Sequence, residues 1–166
     1  MENGYQALRA EVEGELLDRV KKSSPEFFER LVIDLLVAMG YGGSRREAAR
    51  AIGRSGDEGI DGVIDEDALG LDVIYVQAKR WTGRSVGRQD IQQFVGALQG
   101  KRARKGIFIT TSEFALTAKE YVRNIENKVV LIDGAMLVAL MFDHGVAVSD
   151  VKLYTTKSVD SDYFED

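Results

Sequence analysis

The chain has 166 residues, with 22 basic and 27 acidic side chains, a formal net charge of −5, one His, one Pro and no Cys. This length fits one domain with a full hydrophobic core, and a content of 45% apolar and 30% charged residues excludes a disordered chain. The absence of Cys excludes a disulfide framework, a thiolate metal site and a Cys nucleophile, and the single His argues against a His-dependent triad or metal site.

The first 40 residues predict one well-marked helix. Residues 9–22 place apolar side chains at helical spacing within an acid-rich sequence, so we assign residues 1–23 to either a linker or a short helix. The next helix is predicted to have Ser24 as its N-cap and Pro25 at its first position, and to run to Met39. The main domain is predicted to cover residues 24–166.

The remaining pattern alternates strands and helices. Residues 40–59 read as a loop rich in Gly and Arg, and the predicted strands are 60–65, 72–81, 105–111 and 128–133. Helices are predicted at 86–99, 116–124 and 135–143, and a short strand near 151–155 precedes an acidic tail. This order predicts an α/β fold with a central mixed β-sheet flanked by helices on both faces.

Charge is unevenly placed along the chain. Residues 41–105 carry 12 basic and 9 acidic side chains, whereas the segments before and after them have net charges of −3 and −5. A solvated surface is the plain explanation of any one basic cluster, but three clusters in one segment are more suggestive of a locally basic surface. No stretch approaches 18 apolar residues and the N-terminus lacks the pattern of a signal peptide, so we expect a cytoplasmic protein that makes no membrane contact.

The predicted strand 72–81 concentrates polar side chains on one face. With a period of two, Gln77 and Lys79 project side by side, while Ala78 points to the opposite face. Asp61 begins the preceding strand, and pairing of the two strands would bring its carboxylate to the same end. The Asp61 carboxylate, the Gln77 amide oxygen and the Ala78 carbonyl would offer hard oxygen ligands to Mg²⁺ or Mn²⁺. With Lys79 beside them, this set suits phosphodiester hydrolysis.

Asp61 and the run Gln77-Ala78-Lys79 resemble the D…(D/E)xK signature of the PD-(D/E)xK nucleases, with Gln in the acidic position. The similarity extends to FFERLVIDLLVAMGYGG, GRSGDEGIDG, VQAKRW, KGIFITTSEF, VVLIDG and DSDYF, which resemble the catalytic domain of the Mrr-type, or type IV, restriction endonucleases. The resemblance implies a restriction-endonuclease-like fold and a metal-dependent endonuclease that restricts foreign methylated DNA. It also implies that Asp61 is a metal ligand, Lys79 the catalytic lysine and Gln77 the Mrr-type variant of the acidic residue.

A neutral Gln77 removes one negative charge from the metal site, so another carboxylate could compensate. We consider two auxiliary acids: Glu29 in the first predicted helix, where related nucleases often place one, and Asp57, four residues before Asp61. A solvated helix position and a turn residue are the respective structural alternatives. The basic side chains predicted to contact DNA phosphates are Arg54, Arg80, Arg84 and Arg88.

Two other functions fit the same residues. One is a non-catalytic DNA-binding or sensor module that has lost turnover through Gln77, and the other is a structure-specific nuclease resembling junction resolvases. Mrr-type enzymes typically join this domain to an N-terminal winged-helix recognition domain, and residues 1–23 show no helix-turn-helix pattern. We therefore expect recognition of modified double-stranded DNA to reside outside this chain, and a homodimer to act on the two DNA strands.

Overall fold

The structure of the protein is a computed structural model that describes residues 1–43 and 61–165. Five α-helices and four strands lie within these ranges. In chain order they are α1 (Glu2–Lys22), α2 (Pro25–Ala38), β1 (Gly62–Asp65), β2 (Val73–Lys79), α3 (Arg88–Gly100), β3 (Lys105–Thr110), α4 (Leu116–Arg123), β4 (Lys128–Ile132) and α5 (Gly134–Asp143).

The strands form one mixed sheet in the order β1-β2-β3-β4. Strand β1 pairs antiparallel with β2, and β2, β3 and β4 are parallel to one another. The mixed sheet agrees with the prediction, and the ends of these predicted strands lie within two residues of those observed. Local pairing explains the antiparallel hairpin, whereas the parallel pairs need the crossover helices α3 and α4.

Helices cover both faces of the sheet, as predicted. Helices α1, α2 and α5 pack on one face, where Phe28, Leu35 and Leu36 join Ile64 and Ile109 in the larger core. Helices α3 and α4 pack on the other face, in a second core that contains the edge-to-face aromatic contacts of Phe108 with Phe94 and Phe114. Strand β3 is buried on both faces, as expected of a strand with parallel neighbours on each side.

Helix α1 begins at Glu2 and is therefore longer than the helix predicted over residues 9–22. Its buried residues Leu16 and Val20 join the larger core. Arg9 fixes the other half of the helix to α5: Nη1 lies 2.7 Å from Asp143 Oδ1, and the guanidinium lies over the Phe142 ring. The hydrogen bond from Arg9 lowers the pKa of Asp143. Residues 2–22 are thus helical, and the domain boundary at residue 24 stays a prediction.

The prediction of a strand near residues 151–155 is wrong. These residues are exposed and pair with no strand of the described sheet, and alternating hydrophobicity cannot form a strand without a hydrogen-bonding partner. The only regular structure after α5 in the described part of the chain is one 3₁₀ turn, Ser161–Phe164. Among the described helices, none is both long and apolar enough to cross a membrane.

Candidate active site

Strand β2 sends its side chains to alternate faces as the period of two predicts. Ile74 and Val76 enter the core beneath α1 and α2, and Tyr75 packs in the core beneath α3 and α4. Gln77 and Lys79 share the Tyr75 face and line the same cavity there. Gln77 is only 4% exposed, which makes it one of three buried polar residues in the described part of the chain.

Asp61 lies directly before β1 and is bound to the end of β2. Its backbone N–H donates to the Val76 carbonyl at 2.9 Å, extending the antiparallel pairing by one residue. Its side-chain Oδ2 accepts a hydrogen bond from the Ala78 backbone N–H at 2.6 Å. The hairpin therefore brings the Asp61 carboxylate to the end of β2 that carries Gln77 and Lys79, as the pairing argument predicted.

The Ala78 peptide groups face Asp61. The N–H and C=O of one strand residue point to the same side, and the Ala78 N–H points to Asp61. The next carbonyl, that of Lys79, points the other way, because Thr110 on β3 donates to it from its hydroxyl at 2.8 Å. The Ala78 carbonyl is therefore oriented toward the carboxylate, as required of a shared cation ligand.

Burial raises the pKa of Asp61, against the hydrogen bond from Ala78 and the charge of Lys79, which both lower it. Glu29, on α2, is close enough for the charge of Asp61 to affect its pKa. Burial raises the pKa of Glu29, and the negative charges of Asp61 and Glu26 raise it further. The charge of Asp61 thus acts on Glu29, and two carboxylates whose charges are both disfavoured are a setting that a cation would stabilise.

The cavity beside Lys79 has a volume of about 240 Å³ and is bounded by the segment that follows β2 and by α3. Here the Arg84 guanidinium lies 3.9 Å from the centre of the Trp81 ring. Arg84 also approaches Asp90, with Nη2 3.4 Å from Oδ1, and the other oxygen of Asp90 caps α3 by accepting from the Gly87 N–H. An aromatic ring, an arginine and Lys79 therefore face one cavity, a combination that suits a phosphate-bearing ligand.

Three hydroxyl side chains at the end of β3 hold the segment that follows Lys79. Thr110 donates to the Lys79 carbonyl, Thr111 donates to the Trp81 carbonyl at 2.8 Å, and Ser112 donates to the Arg84 carbonyl. Hydroxyls at the end of a strand can bind a phosphate or cap the next helix, and their bracing role here was missed in the sequence. The signal was present in two Thr residues at the end of a strand that is otherwise apolar.

The predicted DNA-contacting arginines separate in the structure. Arg84 and Arg88 lie on the α3 side, and Arg88 lies 5.3 Å from the Tyr121 ring centre. Arg80 points to the opposite face, where Nη1 donates to the Lys21 carbonyl at 2.7 Å and Nε is buried without a partner among the described residues. Arg54 and the auxiliary acid Asp57 lie outside the described residues.

The Asp61 carboxylate and the Ala78 carbonyl would be oxygen donors for a small hard cation. Gln77 lines the Lys79 cavity on the α3 side of the sheet, and Glu29 lies on α2, which packs on the opposite face. Within residues 1–43 and 61–165, no group of three or more His, Cys, Asp and Glu side chains is placed to hold a metal. A site with so few carboxylates suits Mg²⁺, which retains several of its own waters.

Comparison with known proteins gives consistent matches. The family model Mrr_cat, described as a restriction endonuclease, matches residues 20–141. The type IV methyl-directed restriction enzyme EcoKMrr of Escherichia coli strain K12 is 45% identical over 165 residues, which are 99% of this chain and 53% of that protein. The chain thus spans about half the length of this curated relative.

Two solved structures are similar in fold. The MspJI restriction endonuclease, in complex with a 27-mer oligonucleotide, has a TM-score of 0.57 and 25% identity, covering 78% of this chain and 31% of that one. The DNA modification-dependent restriction endonuclease AspBHI has a TM-score of 0.58 and 19% identity, covering 81% and 36%. These two similarities confirm the predicted fold class, a restriction-endonuclease-like α/β fold.

Proposed function

The chain belongs to the Mrr family of restriction endonuclease catalytic domains, and from this premise we propose that it hydrolyses phosphodiester bonds of double-stranded DNA with a divalent cation. The predicted family is thereby confirmed. The observation that carries the proposed reaction is the hydrogen bond between Asp61 Oδ2 and the Ala78 N–H. This bond holds a partly buried carboxylate against the backbone of the residue that precedes Lys79.

In the proposed reaction, one phosphate of the DNA is bound by a cation and by Lys79. Asp61, Gln77 and the Ala78 carbonyl would hold Mg²⁺ or Mn²⁺, and Glu29 would add a second carboxylate near Asp61. The ion, when bound, would lower the pKa of a coordinated water and offset charge on the phosphate. Lys79 would place its ammonium group against the phosphate oxygens, where negative charge develops in the transition state.

The neutral Gln77 sets an expectation for the strength of cation binding. It contributes an amide oxygen but no charge, so affinity for a divalent cation should be lower than at a site with a carboxylate in that position. The Thr110 hydroxyl keeps the Lys79 backbone in place from the β3 side of the strand. Positioning of this kind is valuable because small displacements of a catalytic group reduce the rate strongly.

The DNA-contacting surface is proposed to lie on the Arg84 and Arg88 side of the sheet. Arg84 lines the cavity that Lys79 also lines, and Arg88 lies four residues further along, in the first turn of α3. Recognition of methylated DNA is proposed by analogy with the methyl-directed relative, as is a homodimer that cleaves both strands. Because the chain spans about half of that relative, we assign this recognition to a further domain, of winged-helix type, outside the chain.

The decisive experiment is plasmid cleavage by the purified chain and by Asp61→Asn and Lys79→Met variants. We expect nicking with Mg²⁺ or Mn²⁺ and none with EDTA, and a loss of at least about a thousandfold in each variant, as for removal of a principal charge-stabilising group. Lys119→Met, which removes an exposed lysine of α4, is the matched control and should cleave normally. Wild-type rates in either site variant, with circular dichroism showing an intact fold, would refute the assignment.

The non-catalytic alternative draws support from the neutral Gln77 and from the small number of acids near Asp61. It predicts that the unmodified chain binds DNA without cutting it under any metal condition, and that Gln77→Glu restores cleavage. A junction-resolvase-like activity instead predicts faster cleavage of four-way junctions than of linear duplexes of the same sequence. The same assay, run with branched and linear substrates, separates all three functions.

A further inference from the structure

Asp90 is an acid beside a cavity that otherwise suits a phosphate. It lies in the first turn of α3 and lines the Lys79 cavity, which Trp81 and Arg84 also line. A negative charge at this place repels DNA, which makes binding less favourable unless the carboxylate has another use. The two oxygens of Asp90 have different partners, and these partners indicate that use.

One oxygen of Asp90 belongs to the start of α3. Oδ2 accepts a hydrogen bond from the Gly87 backbone N–H at 2.9 Å, and Gly87 is the N-cap residue three positions earlier. This contact satisfies a backbone donor at the helix start, and the helix dipole also favours an acid in the first turn. A neutral acceptor such as Asn could make the same hydrogen bond, so capping alone does not require the charge.

The other oxygen of Asp90 is directed at Arg84. Oδ1 lies 3.4 Å from Arg84 Nη2, and the Arg84 side chain remains 60% exposed. The same guanidinium lies over the Trp81 ring, 3.9 Å from its centre. The Ser112 hydroxyl fixes the backbone of Arg84 by donating to its carbonyl. Arg84 is therefore held at its backbone, at one face of its guanidinium and at one nitrogen.

Holding Arg84 in advance favours phosphate binding. A long, flexible arginine loses rotamer freedom when it binds a ligand, and an arginine that is already held in place loses less. The contact with Asp90 engages Nη2, and the exposed part of the guanidinium leaves donor groups open to a phosphate oxygen. An exposed ion pair of this length is weak, so the carboxylate can orient the arginine without preventing a phosphate from binding.

We propose that Asp90 is a positioning residue for the proposed nuclease reaction. It holds the Arg84 guanidinium on the Trp81 ring, where Arg84 binds a phosphate of the DNA strand that is cut beside Lys79. Asp90 acts through Arg84 and touches no reacting atom. Its consequence for cleavage rests on the proposed function, whereas the position of Arg84 can be measured without any cleavage.

Trp81 is the only tryptophan of the chain, so its fluorescence reports directly on Arg84. Arg84→Gln uncovers one face of the ring and should increase quenching by acrylamide roughly twofold. Asp90→Asn keeps an acceptor for the Gly87 N–H but presents an NH₂ group to Arg84, so we expect it to increase quenching as well. Added to Arg84→Gln, it should have no further effect. Wild-type quenching in Asp90→Asn would overturn the proposal.

Thermal unfolding separates positioning from capping. Asp90→Ala loses both contacts of the carboxylate, whereas Asp90→Asn loses only the ionic one. The melting temperature should therefore fall in Asp90→Ala and stay close to that of the wild type in Asp90→Asn. An equal fall in both variants would assign the charge to the helix start and contradict a role in positioning.

The sign of the effect on plasmid cleavage distinguishes positioning from simple repulsion. If Asp90 only repelled DNA, Asp90→Asn would raise kcat/KM. We expect a fall of roughly fivefold instead, the size of a contact between exposed charges. In the Arg84→Gln background the same substitution should cause no fall. Glu120→Gln, which removes an exposed acid from α4 on the same face of the sheet, is the matched control and should cleave normally.

An unchanged or raised kcat/KM in Asp90→Asn, or an equal fall with and without Arg84, would refute the inference about Asp90. A wild-type chain that does not cleave DNA would instead refute the proposed function. In that case the quenching experiment would still decide whether Asp90 holds Arg84.

Discussion

Asp61 keeps its carboxylate in an environment that disfavours its charge. Burial raises its pKa, even though the Ala78 N–H and Lys79 act in the opposite direction. Without a bound cation, this charge weakens folding, as expected at sites that trade stability for function. The penalty exists above the folded-state pKa and disappears as the pH falls through that pKa, because the folded state takes up the proton more readily than the unfolded state.

We therefore predict that Asp61→Asn stabilises the chain in the absence of divalent cations. At pH 7 the free energy of unfolding should rise by about 0.5–1 kcal/mol, a small gain because the carboxylate is only partly buried. Urea unfolding at pH 7 and at pH 4 measures it, and the difference from wild type should shrink at the lower pH. Asp18→Asn on the exposed side of α1 is the control, and a gain independent of pH would contradict the explanation.

At the residue scale, the candidate site was predicted from the alternation of side chains along one strand. The alternation of Gln77, Ala78 and Lys79 follows from backbone geometry, so their faces could be predicted without any tertiary information. The position of Glu29 near Asp61 depends on how α2 crosses the sheet, and the resemblance rather than the spacing suggested it. The same alternation puts Arg80 on the opposite face, but its hydrogen bond to the Lys21 carbonyl could not be foreseen, because that contact depends on where α1 ends against the sheet.

The junction between β3 and α5 is the tightest backbone contact among the described glycines. A Cβ on Gly134 would lie 2.4 Å from the Thr111 carbonyl oxygen, and the Gly134 N–H already donates to the Ser112 carbonyl at 2.9 Å. Neither partner is a flexible side chain, so the clash can be relieved only by moving backbone. The same backbone carries the hydroxyls that brace Lys79 and Trp81.

Gly134→Ala should therefore destabilise the fold by about 2–3 kcal/mol, the usual cost of overpacking a tight contact. Gly96→Ala in α3 is the matched control, since its new methyl group meets open space. Removing a glycine from a helix interior should stabilise that variant by about 0.5–1 kcal/mol. Thermal unfolding should show a lower melting temperature for Gly134→Ala and a higher one for Gly96→Ala. Equal changes in the two variants would show that the close approach at Gly134 does not limit stability.

Element boundaries were predictable where capping and burial agree. Ser24 accepts from the Phe27 N–H and Pro25 begins α2, as its sequence indicated. Helix α1 was less predictable, because its apolar residues do not form a single stripe and its fixation to α5 depends on Arg9. The prediction of a strand near 151–155 was wrong for a related reason. Alternating hydrophobicity specifies which face each side chain takes, but it does not supply a neighbouring strand to pair with.

The net charge of −5 hides a molecule with distinct regions. The basic excess of residues 41–105 includes Lys79, Arg84 and Arg88, whereas the C-terminal segment after residue 105 is acidic. Binding of DNA to such a molecule would depend on a local surface rather than on the total charge. Each phosphate contact made by that surface adds one released counterion, so the dependence of affinity on salt counts the contacts.

We predict that Arg84→Gln and Arg88→Gln each reduce the slope of log affinity against log salt by about one, measured by fluorescence anisotropy with a duplex oligonucleotide. Arg80→Gln is the informative comparison. Because Arg80 donates to the Lys21 carbonyl on the other face, its loss should leave the slope unchanged and instead lower the melting temperature. An equal reduction of the slope in all three variants would place Arg80 on the DNA side after all.

The central position of β2 also bears on when the candidate site can exist during folding. The Asp61 contact with Ala78 spans 17 residues and belongs to a hairpin, which closes early. The Thr110 contact with Lys79 spans 31 residues and requires a parallel pairing across a helix, which forms slowly. We expect the Asp61 contact with Ala78 to form before the Thr110 contact with Lys79. A partly folded chain would therefore have the carboxylate in position but not the lysine. The complete arrangement would form only after β3 joins the sheet.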